Sequence, residues 1–219
     1  MSVQSKQNIL SKIAATQTKR VAAISTLKTT SSDIIPHIEN PIYKAISPDF
    51  LSCFKSELEA ISGKCIICNN KKELFEQLKD YLVENNIPTL FCRDKEIKKE
   101  LRAYNIPQTD SQEEFTLMQA GITSCEYLIA RTGSLIVSSA GDSGRQMIPF
   151  PPIHIVIADT KQLVDYPEEA LKSIKNRYED SLPSSITIIT GPSRTADIEK
   201  TLVLGAHGPK ELVVFLSKE

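Results

Sequence analysis

The sequence has no tryptophan and only seven phenylalanines and six tyrosines among its 219 residues. A core built from it must therefore rest on Ile, Leu and Val. Neither sign of charge is in excess: 26 Lys and Arg stand against 27 Asp and Glu. That balance argues against nonspecific nucleic-acid binding, which needs a clear surplus of cations. No apolar run approaches the roughly 20 residues of a membrane span, and the opening MSVQSKQNILSKIAATQTKR lacks the apolar stretch of a secretory signal. A cytoplasmic location is expected. There is no Walker P-loop, and no GxGxxG follows the first predicted strand. No Ser–His–Asp set is evident, and His37 and His154 stand isolated.

Cysteine is present but unpatterned. Five is an odd number, and Cys53, Cys92 and Cys125 lack metal-ligand spacing, so reduced thiols and no iron–sulfur cluster are expected. Cys65 and Cys68 have CxxC spacing inside an apolar run. Residues three apart on a strand point to opposite faces, which suits core packing and not a redox pair or a shared metal.

What is present is ordinary for a packed globular chain: 41% apolar and 24% charged residues. Residues 1–28 carry Ile9, Ile13, Val21, Ile24 and Leu27 at helical spacing and read as a helix or helix pair, either covering a core or contacting a partner. Residues 29–48 hold three prolines and many small polar residues and read as a connector. Two parts result: an arm and connector over 1–48, and one domain over 49–219.

That domain opens with a helix bearing Phe50, Leu51, Phe54, Leu58 and Ile61 on one side. KCIICN then reads as a buried strand. NKKELFEQLKDYLVENN reads as a helix capped by Asn70, with Glu73 three residues on. TLFC is a second strand and DKEIKKELRAY a second helix. Tight strand–helix alternation implies parallel strands, and strands covered on both faces read as continuous apolar runs. YLIA (127–130), SLIVSS (134–139), HIVIA (154–158), SITIIT (185–190) and ELVVFL (211–216) all fit. A helix over about 166–178 is expected, with Asp165 as its cap and Pro167 in its first turn. Only Arg131-Thr132-Gly133 separates YLIA from SLIVSS, too little for a crossover, so that pair is an antiparallel hairpin. The sheet is therefore mixed and mostly parallel.

Three Gly-rich segments adjoin these strands, where ligands of open α/β sheets bind. In the first, Thr132, Gly133 and Ser134 offer an amide and two hydroxyls to a carboxylate or phosphate; the plain alternative is a turn needing positive φ. In the second, SSAGDSGRQ over 138–146, Arg145 suits a bidentate grip on an anion; the alternative is a surface loop. In the third, Gly191-Pro192 turns the chain and Ser193 or Thr195 caps a short helix. With Arg194 this makes an anion site, while Asp197 and Glu199 either meet a polar ligand or stabilise the helix dipole. His207 follows between small residues, as an acid–base group, a ligand contact or a solvated loop residue.

The run ARTGSLIVSS, the run GRQMIPFPPIHIVI and above all TGPSRTADIEKTLVLGAHGPKELVVFL resemble the LUD domain of the lactate-utilization protein C family. The resemblance is close over the last hundred or so residues. It implies a Rossmann-like three-layer α/β/α fold of the NagB/RpiA/CoA-transferase type, related at fold level to 5-formyltetrahydrofolate cyclo-ligase. It also implies a bacterial role beside two iron–sulfur partner subunits in oxidising L-lactate to pyruvate. A longer family type adds a ferredoxin-like region; without such cysteine clusters, this chain resembles the short type and is expected to bind no cofactor itself. The family brings no settled catalytic residues. The matching positions are Thr132, Gly133, Ser134, Ser193, Arg194, Thr195, Asp197, Glu199, His207 and Gly208. Two functions compete: a subunit acting through iron–sulfur partners, or a stand-alone enzyme or binding protein for an anionic small molecule such as a nucleotide, CoA ester, folate or sugar phosphate. A metabolite-sensing regulator ranks last, because nothing suggests a DNA-binding element.

Overall fold

A computed structural model describes residues 49–143, 145–198, 201–205 and 207–218. The arm and connector expected over 1–48 lie outside the described residues.

Helix α1 (Phe50–Ala60) starts where the Asp49 carboxylate accepts from the Ser52 amide, and it buries Phe54 and Leu58. It ends at Ser62, which takes a left-handed φ of 67°. Strand β1 (Lys64–Cys68) leads to α2 (Lys71–Glu84). The expected cap is in place: Asn70 Oδ1 accepts from the Glu73 amide at 2.9 Å, and the Glu73 carboxylate accepts from the Asn69 amide. Leu74, Phe75, Leu78, Tyr81 and Leu82 form its buried stripe. Then come β2 (Leu90–Phe91), α3 (Lys95–Ala103) capped by Asp94, β3 (Gln108–Thr109) and β4 (Ala120–Ser124). Strand β5 (Tyr127–Ile129) and β6 (Ser134–Ser138) flank a single 3-10 turn. Strand β7 (Ile153–Asp159), β8 (Leu163–Val164), α4 (Pro167–Tyr178) and β9 (Ile186–Ile189) follow. The chain finishes with β10 (Arg194–Ile198), β11 (Thr201–Leu204) and β12 (Glu211–Ser217).

The α/β class holds, with strands divided among three sheets. Six strands in the order β1-β12-β7-β4-β2-β3 form a wholly parallel sheet. The expected antiparallel hairpin exists, but it belongs to a second, four-stranded sheet, β8-β5-β6-β9. Along β12, Val213 and Phe215 face α2 and α3, whereas Leu212, Val214 and Leu216 face α1 and the second sheet. This is the two-sided burial that continuous apolar strands predict. Cys68 joins the first cluster and Cys65 the second, so the CxxC pair does point to opposite faces. Helix α4 packs its Ala170 and Ile174 on the far side of the second sheet, against Ile129 and Ile136.

Two local expectations are corrected. The helix expected after Ser193 is instead β10, paired antiparallel with β11 from Arg194↔Leu204 to Ile198↔Thr201. A strand partner ten residues away outweighs a weak local cap signal. Asp165 does not cap α4, whose N-cap is Tyr166. Asp165 is drawn instead into a two-pronged ion pair with Arg131, at 2.9 and 3.0 Å.

Candidate functional site in the crevice beyond β2 and β4

Strand β2 connects through α3 to β3 on one side of the parallel sheet. Its neighbour β4 connects through β5 and β6 to β7 on the other side. Connections that part in opposite directions leave a crevice at the carboxyl ends of the two strands, where open α/β sheets bind ligands. Here that crevice lies between Arg93-Asp94-Lys95 and Ser124-Cys125-Glu126. Ser124 Oγ donates to Asp94 Oδ2 at 3.3 Å across it. The loop after β6 closes the top. Asp142 pairs with Lys95 at 3.5 Å, and Gln146 Oε1 accepts from Arg93 at 3.1 Å. Arg93 in turn sits 4.9 Å over the Phe115 ring.

Beneath the loop is a cavity of about 300 Å³ lined by Glu126, Ser138, Ser143, Arg177 and Tyr178. Glu126 is 9% exposed, and a buried carboxylate must be compensated. Its Oε1 accepts from Ser138 Oγ at 2.5 Å and Tyr178 OH at 2.8 Å; its Oε2 accepts from Arg177 at 2.6 Å. Burial, then Glu126, push the Tyr178 phenol above its ordinary range, so it stays protonated and donates. Burial opposes the Arg177 charge, but Tyr127 and Glu126 overcome it and hold the guanidinium above its usual value. Ser143 is 7% exposed, and its Oγ has no hydrogen-bond partner. The Cys125 thiol beside them is pushed up to about 12, first by burial and then by Glu126, so it is no thiolate nucleophile near neutrality.

Arg145 lies in the loop over this crevice, exposed, with its guanidinium on Ser184 O at 3.0 Å. The first and third Gly-rich segments meet elsewhere, at the end of α1. Thr132 Oγ1 donates to Ser134 Oγ at 2.8 Å, and Ser134 Oγ meets Thr190 Oγ1 at 2.8 Å. Gly133 has φ 59°, and a Cβ there would lie 2.2 Å from the Leu58 amide nitrogen. Arg194 donates to Ile61 O and Ser62 Oγ, closing the last turn of α1. Ser193 and His207 line a second cavity, of about 340 Å³, with His154 at the amino end of β7. Thr195 and Asp197 fall on β10, not on a helical turn, and Glu199 lies outside the described residues.

Of the candidate residues that the structure describes, then, Arg145 alone belongs to the loop over the carboxyl-end crevice, and its side chain does not line the cavity beneath. Glu126, Arg177 and Tyr178 went unnoticed in the sequence, and Ser143, inside the run SSAGDSGRQ, was given no role of its own. Two signals existed: an acid directly before the apolar run YLIA, and Tyr178 continuing the Ala170–Ile174 stripe at intervals of four. Among the described residues no group of three or more His, Cys, Asp or Glu is placed to hold a metal ion. No described helix is long and apolar enough to cross a membrane.

Comparisons with known proteins agree with this architecture. A family model described as the LUD domain matches residues 51–217. An uncharacterized protein of Neisseria meningitidis serogroup B is 30% identical over 178 residues, covering 81% of this chain and 71% of that protein. Lactate utilization protein C of Oceanobacillus iheyensis is 28% identical over 195 residues, 84% of this chain and 79% of that one. The protein of the same name from Bacillus licheniformis is 37% identical over 91 residues, 41% and 38% of the two chains. A crystal structure of a DUF162 family protein from Deinococcus radiodurans shares the fold with a TM-score of 0.58 at 18% identity, over 77% of this chain and 96% of that one.

Proposed function

Since the chain belongs to the LUD-domain family, we propose that it serves bacterial lactate utilization, as a cytoplasmic subunit acting beside iron–sulfur partners in oxidising L-lactate to pyruvate. The observation that carries this reading is the similarity to lactate utilization protein C of Oceanobacillus iheyensis, which extends over 79% of that protein. In this reading electrons pass through clusters held by the partner subunits. This chain contributes the crevice beyond β2 and β4, where a small anion is held among Arg93, Lys95, Arg145 and Arg177. The competing reading, a stand-alone protein for a nucleotide, CoA ester, folate or sugar phosphate, is favoured only by the position of the crevice at the switch between β2 and β4.

Deleting the gene from its own host tests the proposal. Growth on L-lactate as sole carbon source should stop, and growth on glucose should continue. A tagged copy should restore growth and copurify with proteins carrying iron–sulfur absorbance. Undiminished growth on L-lactate after deletion would sink the reading.

A further inference from the structure

The cavity of about 340 Å³ that Ser193 and His207 line is a recess between the two larger sheets, at the end of the parallel sheet away from the crevice. His154 of β7 and Leu212 of β12 form one wall, and Ile189 of β9 faces them. Leu212, Ile148 and Ile189 belong to the core cluster between the sheets or pack against it, so the wall is largely apolar. Backbone bonds hold the rim. Ser193 N donates to Pro209 O at 2.8 Å, and Gly205 N donates to Ser193 O at 2.9 Å. Among the described lining residues there is no Asp, Glu, Lys or Arg, and His207 is exposed. A charged ligand would therefore enter without a buried partner, which is costly.

His154 gives this apolar wall its polar feature. The residue is wholly buried, its Nε2 lies 2.9 Å from Thr123 Oγ1, and its Nδ1 has no hydrogen-bond partner. A buried polar atom without a partner is rare in folded proteins and calls for an explanation. With Nε2 taken by Thr123, Nδ1 is the ring atom left for a ligand. Burial lowers the ring's pKa to about 4, so the imidazole is neutral near pH 7. A neutral imidazole has one N–H and one bare nitrogen. If Thr123 donates to Nε2, then Nδ1 carries the proton; if Thr123 accepts, Nδ1 is bare. A hydroxyl meets Nδ1 in either tautomer, by accepting or by donating. A carbonyl or ether meets only the protonated one. The volume is at the small end of ligand sites, enough for a single ring with a short substituent.

We propose that this recess is a second binding site, for a small neutral alcohol or phenol, with its hydroxyl on His154 Nδ1 and its apolar body against Leu212, Ile148 and Ile189. The assignment is independent of the lactate reading, because none of these residues lines the cavity beneath the loop after β6. A ligand held there touches both sheets and binds only the folded chain, so it raises the melting temperature.

The test is titration of the full chain with 4-methylphenol, toluene and 4-methylbenzoate at pH 7.5, read by NMR of the histidine ring nitrogens and by melting temperature. 4-Methylphenol should bind saturably, shift the His154 ring resonances and raise the melting temperature. Toluene, which lacks the hydroxyl, and 4-methylbenzoate, which brings a charge, should each bind about tenfold more weakly, the ratio of roughly one hydrogen bond. His154→Phe keeps a ring in the wall but offers no nitrogen, so it should bind 4-methylphenol and toluene equally. The ring shifts are read on the unaltered protein, so they decide the matter even where the variant fails to fold. Equal affinity of the unaltered protein for 4-methylphenol and toluene, tighter binding of 4-methylbenzoate, or His154 resonances that stay in place through the titration would overturn the assignment.

Discussion

His154 Nε2 lies 2.9 Å from Thr123 Oγ1, and both side chains are buried, His154 entirely. The other ring nitrogen has no hydrogen-bond partner, and burial alone lowers the imidazole pKa to about 4. A histidine whose folded pKa is depressed stabilises the fold as the neutral ring. That contribution is complete above the unfolded value near 6.5 and is lost as pH falls toward 4. Urea denaturation at pH 7.5 and pH 4.5 should show a stability loss with a His154 share on the order of 3 kcal/mol. His154→Gln, which keeps a bond to Thr123 but cannot be protonated, should lack that share. An equal loss in the variant would assign the pH dependence to other groups.

The Glu126 network predicts an uneven double-mutant cycle. Arg177→Met leaves a buried carboxylate with fewer partners and should destabilise by about 2 kcal/mol, less than a wholly enclosed pair because Arg177 is half exposed. Adding Glu126→Gln removes the stranded charge and should restore at least half of the loss. Additive effects in urea titrations would mean that the two groups do not interact.

Gly133 and Gly141 should respond very unequally to alanine. At Gly133 the new Cβ meets the backbone of Glu57 and Leu58 at a left-handed φ, and the expected cost is about 3 kcal/mol, on the order of 10 °C in Tm. At Gly141 a Cβ meets nothing within 4 Å, and the change should stay within about 0.5 kcal/mol. Calorimetric melting of the two variants distinguishes them directly.

Arg194→Ala should act on stability and not on the crevice. It removes the bonds to Ile61 O and Ser62 Oγ that close α1, a loss of about 1 kcal/mol in denaturant titration. Binding of lactate should change by less than about twofold, since Arg194 does not line the cavity and its bonds go to Ile61 and Ser62, not to the partners of Glu126. A tenfold loss of affinity at unchanged stability would restore Arg194 as a ligand group.

Much of the scaffold was legible because its signals are local. The Asn70 cap, the Leu74–Leu82 stripe, the hairpin around Gly133 and the opposed Cys65 and Cys68 each follow from fewer than twenty neighbouring residues. What escaped was set at a distance. Asp165 looks like a cap until Arg131, 34 residues earlier, claims it. Ser193 looks like a helix start until β11 pairs with the residues after it. Glu126 meets Ser138, Arg177 and Tyr178 at separations of 12, 51 and 52 residues, so no short window contains the cluster. Four of the ten residues singled out for chemistry, Thr132, Gly133, Ser134 and Arg194, sit where the chain binds to itself around the end of α1.

The pairing of β1 with β12 also sets a timetable. Lys64 lines up with Val213, some 150 residues later, and β12 is the sheet neighbour of β1. At ribosomal rates of about 5–20 residues per second, the interval between them lasts on the order of 10 s. For that time KCIIC is an apolar segment with open hydrogen-bonding edges and no strand to join. The earliest strand of the parallel sheet to leave the ribosome is thus the one that waits longest, and it is the segment a chaperone would have most reason to hold.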